Sequence, residues 1–359
     1  MTDLATVLPR PLAPPPAVRP KLWVGLFGSK LNTAITLGFA ALIWWVGIPF
    51  LRWAVIDATW TGTAETCAAG HGACWAFVVE KAPLLAFGLY PPDERPRALA
   101  ALLLMVGLIV ASTRPRFWRR GLVVAWVAVL ATVVALLAGV GPLAAVSSER
   151  WGGLPITFFL AMTAFAGAFP LAIGLALARR SKMGGIRLLA GAFVETVRGV
   201  PLITLLYAST LLVPLMLPAG VAIDKFARAT AMLVLFTAAY LAEIVRAGLA
   251  AVPAGQSEAA RALGLSPWQT TRLVVLPQAL KVSIPSMVTL AIGILLDTTL
   301  VVIIGMYELL NAARTAANDP AWLGFFDEAY AVAALVYFVL GFAGSRWSLT
   351  LERRFARGR

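Results

Sequence analysis

Gly255-Gln-Ser-Glu258-Ala-Ala-Arg-Ala-Leu-Gly264-Leu-Ser-Pro-Trp-Gln-Thr-Thr-Arg-Leu-Val-Val-Leu276-Pro277 is a polar interval between two long apolar runs. Its local chemistry predicts its shape. Glu258 to Leu263 favours helix, because alanine has the strongest helix propensity. Gly264 suits the residue just past a helix end, where positive φ is wanted. Ser266 then starts a second helix, Pro267 fits its first turn, and Gln269 completes a capping box. Pro277 is expected to end that helix. The interval reads as a short helix, a tight turn and a second helix lying across the face of a membrane.

The membrane is demanded by what flanks the interval. Of 359 residues, 60% are apolar and 13% charged, against about 25% charged in a soluble domain. Mean hydropathy is +0.85. About eight stretches approach or exceed the roughly 20 apolar residues that cross a bilayer. They run from about Leu31 to Ile56, Ala98 to Thr113, Gly121 to Val146, Leu154 to Ala178, Leu188 to just before Pro218, Ala229 to Ala251, Val282 to Met306, and Ala329 to Gly344. The fold class is all-α and integral to the membrane.

The net charge of +13 does not make this a nucleic-acid binder. Its basic residues sit in short clusters at the ends of apolar runs, as on the cytoplasmic side of membrane proteins. Arg10, Arg19, Lys21 and Lys30 precede the first span. Arg114, Arg116, Arg119 and Arg120 follow the second, Arg179, Arg180, Lys182 and Arg187 the fourth, and Arg261, Arg272 and Lys281 the sixth. Arg346, Arg353, Arg354, Arg357 and Arg359 follow the eighth. Alternate loops carry Asp57, Glu65, Asp93 and Glu94. Both termini are therefore expected in the cytoplasm, with the 255–281 loop beside them and the 57–97 loop in the periplasm.

Organisation follows. Residues 1–30 are rich in proline, lack an apolar core and read as a disordered cytoplasmic arm. Residues 31–146 form an extension of three spans, residues 153–346 a five-span unit, and residues 347–359 a basic tail. Trp151-Gly152-Gly153 marks the seam. In the oxidising periplasm, Cys67 and Cys74 read either as a disulfide or as free thiols. With His71 they offer three metal ligands and no fourth, so no metal is expected. His71 is the sole histidine, which leaves little room for imidazole acid–base catalysis. No G-x-x-x-x-G-K-[ST] phosphate loop is present. If ATP drives this protein, another subunit binds it.

The loop resembles the signature of ABC-importer permease subunits, Glu-Ala-Ala, three residues, Gly, nine residues, then Ile-x-Leu-Pro. Glu258, Ala259, Ala260, Gly264, Leu276 and Pro277 match it, with Val274 in place of Ile. The resemblance implies a type I importer core in the last five spans. It also implies a dimer of ATPase subunits carrying ATP and Mg, whose grooves take the short helix. Glu195-Thr-Val-Arg198-Gly-Val-Pro201, Tyr240-Leu-Ala-Glu243-Ile-Val-Arg246-Ala-Gly248 and Asp297-Thr298-Thr299-Leu-Val-Val-Ile resemble the polar amino-acid branch. Leu296 stands where that branch often has Lys. The extension with its Cys-bearing loop resembles the larger permeases of broad-specificity L-amino-acid systems. Such a chain catalyses no bond chemistry. It works by alternating access beside a second homologous permease, or a second copy of itself, with a periplasmic amino-acid-binding protein delivering substrate.

Charges within the spans bear on this. Glu195 with Arg198, and Glu243 with Arg246, are three apart on a helix face. They read as structural ion pairs or as a cytoplasmic gate. Gly199 and Pro201 are expected to break the fifth span. Asp297 lies about 15 residues into the seventh span, at or past the bilayer middle. With Thr298 and Thr299 it reads as a contact for the substrate or its gate, or as an interhelical bond. The competing functions are an ion-driven secondary transporter, an ABC permease for another small polar solute, and an integral-membrane enzyme. The first has no need of the 258–277 loop, and the last lacks a convergent catalytic set.

Overall fold

A computed structural model describes residues 22–218 and 220–356. The chain forms two compact units, residues 1–73 and 74–359. Among the described residues, seven helices are long and apolar enough to cross a membrane, and one sharply bent pair allows an eighth crossing.

The first unit holds α1 (Leu22–Phe27), α2 (Lys30–Leu51) and α3 (Ala64–Ala68), with a π-helical turn over Arg52–Ile56. The Ser29 hydroxyl starts α2 by accepting the Asn32 amide at 3.1 Å. Apolar all round, α2 buries no residue of its own, the pattern of a helix solvated by lipid. Helical order thus begins at Leu22, inside the stretch that reads as an unstructured arm. Residues 1–21 of that arm, with Arg10, Arg19 and Lys21, lie outside the described residues, as do Arg357 and Arg359 of the tail.

The second unit holds α4 (Trp75–Phe87), α5 (Arg95–Ser112), α6 (Arg120–Ala138), α7 (Gly153–Ala178), α8 (Gly184–Gly199) and α9 (Leu202–Met216). It continues with α10 (Lys225–Ala251), α11 (Ala254–Ala262), α12 (Pro267–Gln269), α13 (Leu276–Asp297), α14 (Leu309–Ala317) and α15 (Phe326–Ala356). The units divide between Ala73 and Cys74, so α4, α5 and α6 fall in the same unit as α7 to α15. The third span ends at Ala138, short of the expected Val146. Gly139 takes φ +75°, and the chain returns so that the Val146 amide bonds the Ala138 carbonyl at 2.9 Å.

Small side chains set the centre of this unit. Ala164, Ala168, Ala172 and Ala176 recur every fourth residue along α7 and are fully buried. The last three cluster with Ala238, Ala242 and Val245 of α10. In a bilayer, where apolar burial drives nothing between helices, such close approach supplies the packing energy. The fifth span breaks where Gly199 and Pro201 predict it. Val200, held extended by the proline that follows, has φ −99° and ψ 131°. α8 and α9 meet there at 101°.

Three backbone segments cross at the start of α7. Gly152 and Gly153 bridge Tyr307 and Glu308 in parallel. Gly153 has φ +63°, and a Cβ there would stand 2.2 Å from the Ala86 carbonyl oxygen at the end of α4. No other residue fits. This crossing places the starts of α7 and α14 at the end of the bundle opposite the 255–277 loop.

Candidate functional site

The loop is built as its sequence predicts, with one exception. α11 begins at Ala254, earlier than the expected Glu258, and ends at Ala262. Gly264 has φ +83°. Its amide bonds the Arg261 carbonyl at 2.9 Å, and the Leu265 amide bonds Ala260 at 3.2 Å. This is a Schellman closure, which satisfies the last carbonyls of the helix. The capping box is complete: the Gln269 amide donates to the Ser266 hydroxyl at 3.3 Å, and the Ser266 amide to Gln269 Oε1 at 2.9 Å. The exception is Pro277, which does not end the second helix. A π-helical turn over Thr270–Val275 carries the chain from α12 into α13. Its wider radius eases the clash between the proline ring and the carbonyl four residues back.

Packing divides the signature residues. Ala260 is buried, whereas Glu258, Ala259 and Gly264 are exposed. Leu276 is half-buried and Pro277 exposed. Gln278 Nε2 bonds Gln256 Oε1 at 3.1 Å and the Val274 carbonyl at 3.0 Å, tying α11 to α13. Large apolar side chains nevertheless point outward: Leu263 is 83% exposed, Trp268 62% and Leu273 60%. A rigid element presenting such residues is suited to docking a partner.

Behind the loop lies a charge cluster whose pairing differs from the sequence reading. Arg246 does pair with Glu243, its Nε lying 3.0 Å from Oε2. Glu195 does not pair with Arg198. It accepts from Arg179 at 3.1 Å, while Arg198 stands 4.0 Å from Glu243 and over the Tyr240 ring at 5.3 Å. Arg179 also donates to Glu243 at 2.9 Å. Glu243 therefore gathers three arginines from α8, α10 and the residue just past α7. Arg180 donates to the Leu249 carbonyl at 3.2 Å, a favourable place for a cation near a helix C-terminus. In the sequence Arg179 is marked only as a positive charge at the end of a span. Its position immediately after a span, opposite two acidic helices, becomes informative once those helices are packed.

Asp297 is the last residue of α13, half-buried, with no ionic or hydrogen-bonding partner among the described residues. It lies 20 residues past Pro277 (297 − 277), a rise of about 30 Å. It is thus remote from the charge cluster. The neighbouring hydroxyls are engaged in their own helix: Thr298 donates to the Leu295 carbonyl at 2.7 Å, and Thr299 to Leu296 at 2.8 Å.

A further polar knot at the far end has no counterpart in the sequence reading. The Glu308 carboxylate is fully buried and accepts the Leu310 amide at 2.7 Å and the Asn311 amide at 2.8 Å. The Tyr337 hydroxyl donates to it at 2.8 Å. Thr157 Oγ1 accepts the next amide, that of Leu309, at 3.2 Å. Burial raises the Glu308 pKa above the ordinary carboxylate value, against the pull of those donors. An acid directly before the alanine-rich α14 is the signal that marks it as a cap.

Neither cysteine is free. Among the described residues, no group of three or more His, Cys, Asp or Glu side chains is placed to hold a metal ion.

Residues 168–357 match the family described as binding-protein-dependent transport system inner membrane component. The chain is 43% identical over 350 residues to the inner membrane amino-acid ABC transporter permease protein YhdY of Escherichia coli, across 95% of this chain and 94% of that protein. It is 35% identical over 435 residues to the glutamate/glutamine/aspartate/asparagine transport system permease protein BztC of Rhodobacter capsulatus, across 99% of each. Among solved structures it is similar to an amino acid ABC transporter crystallised with histidines, at 31% identity and a TM-score of 0.50, over 55% of this chain and 90% of that one.

Proposed function

The chain belongs to the binding-protein-dependent transport system inner membrane components, and from that premise we propose that it is the permease subunit of an ATP-driven amino-acid importer. The observation that carries the proposal is the loop over residues 254–277, a pre-formed helix–turn–helix with Leu263, Trp268 and Leu273 turned outward. A secondary transporter needs no such element. The amino-acid cargo is supported by the names of the similar proteins over nearly the whole chain.

In this reading the loop and both termini face the cytoplasm, and a separate ATPase dimer, holding ATP and Mg, docks on the exposed face of α11. A second homologous permease, or a second copy, completes the pathway, and a periplasmic binding protein delivers the substrate. Cys67 and Cys74 form a disulfide in the periplasmic loop, supported by the absence of a free thiol. The Glu243 cluster joins α7, α8 and α10 just behind the loop, where it restrains the cytoplasmic gate. Asp297, an acid without a partner among the described residues, meets the substrate ammonium or a gate residue across the permease pair, because an isolated buried carboxylate is costly in lipid.

The test is purification of the chain from its host membrane in mild detergent. An ATPase subunit should copurify, and Glu258→Lys should lose it while keeping any partner permease. Transport by the chain alone, driven by an ion gradient, would refute the reading.

A further inference from the structure

The turn between α5 and α6 reads Arg114-Pro-Arg116-Phe117-Trp118-Arg119-Arg120, four arginines in seven residues. All seven are exposed. The transport reading does not use them.

The turn is ordered by its own bonds. A 3₁₀ turn spans Pro115–Phe117. The Phe117 amide bonds the Arg114 carbonyl at 3.0 Å, and the Trp118 amide bonds Pro115 at 3.1 Å. Two indoles bracket the end of α5: Trp118 Nε1 donates to the Ser112 carbonyl at 2.8 Å, and Trp126 Nε1 to the Ser112 hydroxyl at 3.1 Å. The Arg116 guanidinium lies over the Phe117 ring at 4.6 Å.

What the turn lacks is a counter-charge. None of the four guanidinium groups has an ion pair or hydrogen bond among the described residues. The nearest acids in sequence are Glu94 and Glu149. Glu94 precedes the first residue of α5, so the 18-residue helix separates it from the turn by about 27 Å. Arg179, Arg198 and Arg246 at the same end are, by contrast, drawn to Glu195 or Glu243. Arg119 and Arg120 also sit at the N-terminus of α6, the end at which a helix favours anions and repels cations. The arrangement is unfavourable in isolation and becomes favourable when a shared anion lies between the cations and the helix.

The bundle places the turn at one membrane surface. Gly88 and Gly153 hold the starts of α5 and α7 at the far end, so the turn emerges on the side of Arg179 and the loop. Outward-facing Val123, Val124 and Val127 of α6 are suited to acyl chains, with Phe117 and Trp118 at the interfacial level that aromatic rings prefer.

We infer that Arg114, Arg116, Arg119 and Arg120, with Phe117 and Trp118, form a binding site for the phosphodiester headgroup of an anionic phospholipid in the leaflet on the side of the 254–277 loop. Guanidinium groups match phosphate oxygens in pairs, and the aromatic rings hold the turn at headgroup depth.

The experiment uses the full chain with its copurifying subunits. After delipidation it is placed in bilayers of equal phosphatidylcholine and phosphatidylglycerol, re-extracted in mild detergent, and its retained lipid is weighed by mass spectrometry. Phosphatidylglycerol should be enriched at least about fivefold, the share of a single surface arginine. The enrichment should fall as salt rises, because the screening length shrinks from about 10 Å at 0.1 M to about 3 Å at 1 M. Those two readouts need no variant, so a folding defect cannot obscure them. Arg116→Gln with Arg119→Gln should remove most of the enrichment, whereas Lys182→Gln with Arg187→Gln should leave it. Equal retention of the two lipids by the wild-type chain would overturn the inference. So would displacement of the lipid by millimolar glycerol phosphate, which would mark a site for soluble phosphate, or loss of a protein subunit in place of lipid in the Arg116/Arg119 variant.

Discussion

Glu243 provides the sharpest test of how the bundle is held behind the loop. Glu243→Gln keeps the side chain's shape and one acceptor oxygen but removes the charge that gathers Arg179, Arg198 and Arg246. Two of those contacts are charge-assisted hydrogen bonds, at 2.9 Å from Arg179 and 3.0 Å from Arg246, each worth about 1.5–3 kcal/mol when shielded from water. The Glu243 side chain is 26% exposed and that of Arg246 40%, so solvent takes part of this. A net cost of about 2 kcal/mol is expected once exposure is counted. Glu195 makes one such bond, to the same Arg179, but its side chain is 72% exposed. Glu195→Gln should cost under about 0.5 kcal/mol. The assay is thermal unfolding of the purified chain in mild detergent, with a double-mutant cycle between Glu243→Gln and Arg179→Gln. The cycle should show coupling of about 1 kcal/mol or more, against under about 0.5 kcal/mol for Glu243 with Arg198, which stand 4.0 Å apart. Equal losses for Glu195→Gln and Glu243→Gln, or strict additivity of Glu243 with Arg179, would refute the hub.

Gly264→Ala meets no atom within 4 Å of the new Cβ, so only its φ of +83° resists; folding should weaken by about 1–2 kcal/mol, as read by thermal unfolding in detergent. Asp319 bonds Lys81 at 2.7 Å, and that bond holds its carboxyl below the usual carboxylate range. The stabilisation is present above the ordinary value of about 4 and lost as pH falls through the depressed one, so the thermal midpoints of wild type and Asp319→Asn should differ at neutral pH and converge in acid. Asp297→Asn should lower or redirect amino-acid uptake per assembled complex; reduced assembly with unchanged uptake per complex would assign Asp297 to structure. A single cysteine at Ser266→Cys, in a chain without Cys67 and Cys74, should resist an impermeant thiol reagent added to intact cells, and ready labelling would reverse the orientation.

Local chemistry made much of this legible in the sequence. Gly264, Ser266, Pro267 and Gln269 each act on their immediate neighbours, and the turn they specify is the turn observed. Gly199 and Pro201 likewise announce the break between α8 and α9. The structure differs where a neighbouring or distant segment decides the outcome. Pro277 ends a helix in isolation, but a π-helical turn ahead of it lets the helix continue. Glu195 and Arg198 are spaced to pair along one helix, yet Arg179 offers Glu195 a bond across helices and Glu243 takes the rest. α4 and α14 lie in stretches that read as connecting loops, because both are too short to span a bilayer. Glu308 shows in the sequence only as an acid ahead of α14, and its burial depends on Thr157 and Tyr337, which pack around it.

On the proposed function, the 254–277 loop couples this permease to ATP hydrolysis on another subunit. The direct measurement is amino-acid uptake into vesicles containing the assembled complex, with ATP hydrolysis followed in parallel as loaded binding protein is added. Loaded binding protein should stimulate both activities. Gly264→Pro, which cannot adopt the positive φ the turn requires, should abolish stimulated hydrolysis and uptake while the chain remains inserted. Uptake that persists without ATP, or stimulation that survives Gly264→Pro unchanged, would contradict this coupling.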